Sequence, residues 1–136
     1  MEIQINNIFE FFKKEQTIVK DPWLIFGKGP SFSLRNKFPI DNFQTLTLND
    51  SVKYFNNNLV SIFIDFSAYE RFREFLQKNK NSILAMPWYP HFNFKKGKYN
   101  LRELCEKYDD LREFFLDDRL FWFDLDNCKS KKGGFP

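Results

Sequence analysis

The sequence predicts an α/β fold: a mostly parallel sheet of about five strands with helices on its flanks. Three observations predict it. Short apolar runs recur at residues 23–26, 43–48, 59–66, 82–86 and 119–125, each bounded by turn-forming residues. Stretches with helical spacing separate several of them. One run, Trp23-Leu24-Ile25-Phe26, passes straight into a glycine-rich turn, as the first strand of a nucleotide-binding sheet does.

The elements follow in order. Over 6–15, Ile8, Phe9 and Phe12 share a face opposite Lys13, Lys14 and Glu15, which predicts a short amphipathic helix. Asp21-Pro22 ends it, because the residue before a proline avoids helical geometry. The continuous run 23–26 reads as a strand buried on both faces. Gly27-Lys28-Gly29-Pro30-Ser31 turns the chain, and Phe32 and Leu34 open a second helix that Ser31 caps or enters. Residues 43–48 are rich in strand formers and stop at Asn49-Asp50. The 59–66 run gives a third strand. Ser67 caps the next helix, where Tyr69, Phe72, Phe75 and Leu76 keep helical spacing. Residues 82–86 form a fourth strand stopped by Pro87. An aromatic loop and a lysine turn follow. Leu101, Leu104, Cys105 and Tyr108 predict a helix that breaks before Leu111. Residues 119–125 form the fifth strand. Crossovers are right-handed, and the architecture is Rossmann-like.

Composition sets bounds. The chain has 136 residues, 43% of them apolar and 29% charged, enough for one domain with a real core and too apolar for disorder. No apolar run reaches the roughly 20 residues that span a bilayer. Glu and Asn among the first dozen residues argue against a secretory leader. Two cysteines, Cys105 and Cys128, make no disulfide framework, so the expected compartment is a reducing cytoplasm. The net charge is +3. Acids and bases alternate along most of the chain, so no specific nucleic-acid face is expected. Lys95, Lys96 and Lys98, like Lys129, Lys131 and Lys132, read as a solvated loop and a solvated tail. The 19 phenylalanines are not read as a stacking platform.

In such a sheet ligands bind beyond the carboxyl ends of the strands. That rule selects Gly27 to Ser31, Asn49 to Ser51, Asp65 to Ser67, and the loop from Pro87 to Asn93. In the first, Gly27 and Gly29 let backbone approach a ligand, successive N–H groups make an anion cradle, and Lys28 and Ser31 add contacts to phosphate. The competing reading is a tight turn that merely joins strand to helix. The turn is not a P-loop, since no Gly-Lys-Ser/Thr closes it, and it lacks the third glycine of the dinucleotide fingerprint.

The decapeptide Pro22 to Ser31, with its G-x-G-P-S turn, resembles the first strand and turn of sialyltransferase-like glycosyltransferases. Related turns occur in pyrophosphokinase-like proteins. Thr45-Leu46-Thr47-Leu48-Asn49 resembles that family's next strand, which ends in an Asn near the nucleotide. Met86 to His91 and Leu120 to Asp124 resemble segments of bacterial sugar-transferase-like proteins of this type. The likeness spans 21–126, and its specificity lies in the first turn. It implies a Rossmann-like domain over 21–126 that binds a nucleotide-activated sugar, such as a CMP-sugar, and supports transfer to an acceptor hydroxyl. Residues 1–20 would be an N-terminal helix and 127–136 a flexible tail. Gly27, Lys28, Gly29, Pro30 and Ser31 would hold the phosphate side, and Asn49 the ribose or base. No cofactor or metal is implied. Two departures stand out: Lys28 replaces the Asn often found between the two glycines, and the family's catalytic His and second half come after the point where this chain stops. A truncated form is therefore expected. The alternative function is a non-catalytic nucleotide-sensing or protein-interaction module.

The remaining candidates each carry two readings. His91, the single histidine, is a general base for the acceptor hydroxyl or a loop residue packed on Trp88 or Tyr89. Asp65 is a base or ribose contact, or a helix cap. Trp88 and Tyr89, with Phe92 and Phe94, are an aromatic wall for a ring or an anchor for the loop. Asp117-Asp118 and the pair Asp124 and Asp126 suggest Mg²⁺, but Asp124 falls inside the fifth expected strand. Cys105 and Cys128 lack zinc spacing, and Cys105 sits at an apolar helical position.

Overall fold

The computed structural model describes residues 2–18, 23–27, 37, 43–55 and 58–125, without the side chains of 15–18. Lys28, Gly29, Pro30 and Ser31 lie outside the described residues, as do the helix expected after them, Asp126, Cys128 and the tail. The elements are β1 (Asn6–Asn7), α1 (Ile8–Ile18), β2 (Trp23–Phe26), β3 (Gln44–Leu48), a 3-10 helix (Asn49–Tyr54), β4 (Val60–Ile62), α2 (Phe66–Lys78), β5 (Ile83–Pro87), β6 (His91–Phe92), β7 (Lys95–Lys96), α3 (Leu101–Lys107), α4 (Asp109–Leu116) and β8 (Leu120–Phe123).

Six strands form one sheet in the order β1-β8-β5-β4-β3-β2. All five pairings are parallel, so the α/β, Rossmann-like class is correct. From β3 through β4 and β5 to β8 the chain advances one way across the sheet. Right-handed crossovers therefore put the connecting helices on one face. The step from β1 to β2 goes back across the whole sheet, which sends α1 to the other face. The two cores agree. Phe66, Tyr69, Leu76, Leu101, Leu104 and Leu111 bury against one face. Ile8, Phe11 and Phe12 pack with Leu46, Val60 and Ile83 on the other.

Strand positions explain their composition. β5 lies inside the sheet under both layers, and all five of its residues are buried, as an apolar run with period one requires. The run Trp23–Phe26, expected to be buried on both faces, is instead the far edge strand. Among the described residues it pairs only with β3, and Ile25 is 66% exposed. The strand expected over 59–66 is only three residues long. Phe63 is fully buried in the core beneath α2, and the chain turns there into Asp65, which occupies the N-cap position assigned in sequence to Ser67. β1 was not foreseen. Asn6 and Asn7 are poor strand formers, and they are a strand only because they pair with Phe121 and Trp122. The helix does break before Leu111, but at Tyr108, which was expected to be helical and is instead extended between α3 and α4.

Polar groups inside this core are matched. Asn58 Nδ2 donates to Thr47 Oγ1 (3.1 Å) and Ser61 Oγ (2.6 Å), tying β3 to β4 beneath the helices. Arg119 closes the amino end of the sheet. Its guanidinium donates to the carbonyls of Ser82 (2.7 Å), Asn79 (2.9 Å) and Leu76 (3.3 Å), capping α2 and fastening β5 to the strand beside it. Tyr69 donates to Asp110 (2.9 Å), which also receives Arg73 (2.8 Å), and so links α2 to α4. Burial and the Asp110 charge push the Tyr69 hydroxyl pKa upward. Among the described residues no helix is long and apolar enough to cross a membrane.

Two outcomes follow. Arg119→Met removes the side-chain donor from three carbonyls, of which those of Leu76 and Asn79 keep a backbone N–H, and should lower stability by about 2 kcal/mol in urea unfolding. Cys105 is fully buried, and burial pushes its thiol from the ordinary 9.0 up to about 12. The folded state then keeps a proton that the unfolded chain loses. This contribution is fully present below pH 9.0 and is lost as pH rises toward 12. Urea curves for Cys105→Ala should show a shallower alkaline decline than wild type.

Candidate functional site

The carboxyl ends of the strands all open on one edge, and the loops there are tied to one another. Asn49, just past β3, has φ 51°, a region that Asn tolerates. Its Oδ1 accepts the N–H of Ile64 at 3.3 Å. Ser51 donates to the Phe26 carbonyl at 2.8 Å and accepts from Leu48 N–H. Together they hold the ends of β2, β3 and β4 in register. Gly27 ends β2. Among the described residues a Cβ there would meet only Leu48 Cδ1, at 3.8 Å, so their packing does not require glycine at this position.

Asp65 is 9% exposed. It makes no side-chain cap bond; its carboxylate accepts the N–H of Phe94 at 3.0 Å. His91 N–H donates to the Ile64 carbonyl at 2.9 Å, and Asp65 and His91 form a parallel bridge. The β6–β7 hairpin is thereby sewn to the end of β4. Gly97 lets it close: a Cβ there would lie 2.3 Å from the Pro90 carbonyl and 2.8 Å from Phe92. Phe92 stacks on Phe66 at 5.3 Å and belongs to the core packing, whereas Phe94 projects into solvent.

Beside this hairpin lies a cleft of about 610 Å³. Pro87, Trp88 and Tyr89 form its floor beyond β5, and Trp122, Asp124 and Leu125 line it from β8. The extended segment 2–5 is the opposite wall: Ile3 and Ile5 are buried, while Glu2 and Gln4 are exposed, the alternation of a strand-like segment. Trp88 meets Trp122 edge to face at 5.6 Å. His91 and Lys96 enter from the hairpin, and Lys96 Nζ lies over the Tyr89 ring, 5.4 Å from its centroid. Arg102 enters from α3. Asn100 fixes that helix start through a capping box, accepting from Glu103 N–H at 2.9 Å.

Of the residues singled out in sequence, the structure brings Trp88, Tyr89 and His91 together in the cleft. Gly27, Asn49 and Asp65 stand on the same edge but outside it. Gly27 is three strands from β5, about 14 Å at the usual strand spacing. Asp124, placed in sequence inside a strand, is the first residue beyond β8 and faces the cleft. Among the described residues no three His, Cys, Asp or Glu side chains cluster as metal ligands do. Trp122, Lys96, Arg102 and the segment 2–5 were not foreseen. Their place depends on which distant strands pair, and only the position of Trp122 beside the Asp-terminated end of the last strand hinted at it.

The lining suits a ligand that combines a ring with negative charge. Aromatic faces take a sugar or base ring, and Lys96 and Arg102 can pair with an anion, although Glu2 and Asp124 line the same cleft. Comparison with protein-family models, with curated proteins and with solved structures gives no match. Substituting Gly97→Ala should loosen the hairpin that carries His91 and Lys96, lowering the unfolding temperature by several degrees, as differential scanning fluorimetry will report.

Proposed function

We propose that this domain binds a nucleotide-activated sugar along the carboxyl edge of its sheet and supports transfer of the sugar to an acceptor hydroxyl, as a sialyltransferase-like glycosyltransferase does. The observation that carries this reading is the cleft beyond β5 and β8, where two tryptophans and the chain's single histidine converge with Lys96 and Arg102, beside Glu2 and Asp124. Its volume lies in the range of small-molecule sites.

In this reading the sugar occupies the cleft against Trp88 and Trp122. The nucleotide runs along the edge toward Asn49 and the turn that begins at Gly27. His91 takes the proton of the acceptor oxygen as that oxygen forms its bond to the sugar carbon. The bond from that carbon to the nucleotide phosphate breaks, and Lys96 and Arg102 offset the charge that grows on the departing phosphate.

Isothermal titration with CMP, UMP and their sugar conjugates tests the reading. Trp122→Ala should weaken the sugar conjugate by about ten-fold or more. Gly27→Ala, which the described neighbours accommodate, should weaken the nucleotide part. His91→Ala should lower turnover by about 10²-fold or more with affinity retained. Binding without turnover assigns the chain to nucleotide sensing; absence of heat with every nucleotide removes the proposal.

A further inference from the structure

The β6–β7 hairpin ends in a turn whose sequence opposes its conformation. His91 pairs with Lys96 and Phe92 with Lys95, so Asn93 and Phe94 alone form the loop. Both have positive φ, 52° and 66°, as in a type I′ turn, whose second position favours glycine. Asn tolerates this region, but a bulky aromatic does so at a cost. Packing returns nothing, because Phe94 is 87% exposed. The tip is also held in place, since its N–H is bound by the Asp65 carboxylate. Folding therefore accounts for neither the strained backbone nor the ring in water.

The Asp65 carboxylate at the tip is 9% exposed and turned to the Phe94 N–H, and the charge that the segment itself shows to solvent is basic. Lys95 and Lys98 are exposed beside it, Arg102 is exposed on α3, and no acidic residue occurs between Glu74 and Glu103. Tyr89 and Tyr99 are partly exposed near the base of the hairpin.

We infer that this hairpin docks the protein on an anionic lipid bilayer, with Phe94 entering the acyl boundary and Lys95 and Lys98 facing the headgroups. A planar bilayer accepts a single ring carried on a convex tip. A single nucleic-acid strand instead needs a groove with successive stacking rings. Tyrosines at the base suit the headgroup level. Docking in this way sets the cleft, which shares His91 and Lys96 with the hairpin, beside the membrane surface.

Co-sedimentation of the full chain with phosphatidylcholine vesicles, with and without phosphatidylglycerol, tests this. Binding should require phosphatidylglycerol and weaken with salt. Lys95→Ala and Lys98→Ala should each lower partitioning by about five-fold, and Phe94→Gly by about ten-fold or more. Phe94→Gly should also hold or raise the unfolding temperature, since glycine suits that position, so its loss of binding is not a loss of fold. The inference is overturned if no vesicle binds or if the variants bind like wild type. It is equally overturned if the same variants lose affinity for oligouridine while vesicles are ignored.

Discussion

The parallel pairing of β1 with β8 sets Asn6 and Asn7 beside Phe121 and Trp122, and much of the molecule depends on that short contact. It places the start of the chain at one edge of the sheet, while β2 must be laid down at the other. Because the crossover is right-handed, α1 then covers the face that the later helices leave open. The same contact draws residues 2–5 against the carboxyl end of β8, where they become a wall of the cleft. Two asparagines with little strand preference thus close the sheet, start α1 and complete the site.

A sheet with every strand parallel gathers its outgoing loops on one edge. Here the edge is stiffened by side chains that bond backbone. Asn49 and Ser51 join the ends of β2, β3 and β4, and Asp65 fastens the hairpin. Groups committed to such bonds give the edge its shape, and Trp88, Tyr89, His91, Trp122 and Arg102 are left to line the opening. The division is physical. A short polar side chain next to a strand end reaches backbone, whereas long or aromatic ones reach past it.

How much could be read from the sequence follows from how local each signal is. Trp23–Phe26, Gln44–Leu48 and Ile83–Pro87 were readable because apolar runs between turn residues carry their own message. A break before Leu111 was readable from helical spacing on either side, though not that Tyr108 itself makes it. Burial was not: Trp23–Phe26 has the composition of a central strand and lies at an edge, since strand order depends on distant pairings. The β6–β7 hairpin was read as loop because Asn93-Phe94 lacks the glycine that announces such turns. In the candidate site, Trp88, Tyr89 and His91 could be placed by the rule that ligands gather beyond strand ends. Trp122, Arg102 and the segment 2–5 could not, because they come together only after β5, β8 and β1 have found their register.

The central claim is that the cleft between β5, β8 and the N-terminal segment is where a nucleotide-sugar is held. The chain's three tryptophans offer a direct measurement through their indole N–H resonances in a titration with the sugar conjugate. Trp88 and Trp122 line the cleft, while Trp23 packs on Phe12 on the opposite side of the sheet. The account predicts that the Trp88 and Trp122 signals shift together and saturate while Trp23 stays in place. Saturable shifts at Trp23 alone, or none at any of the three, would contradict it.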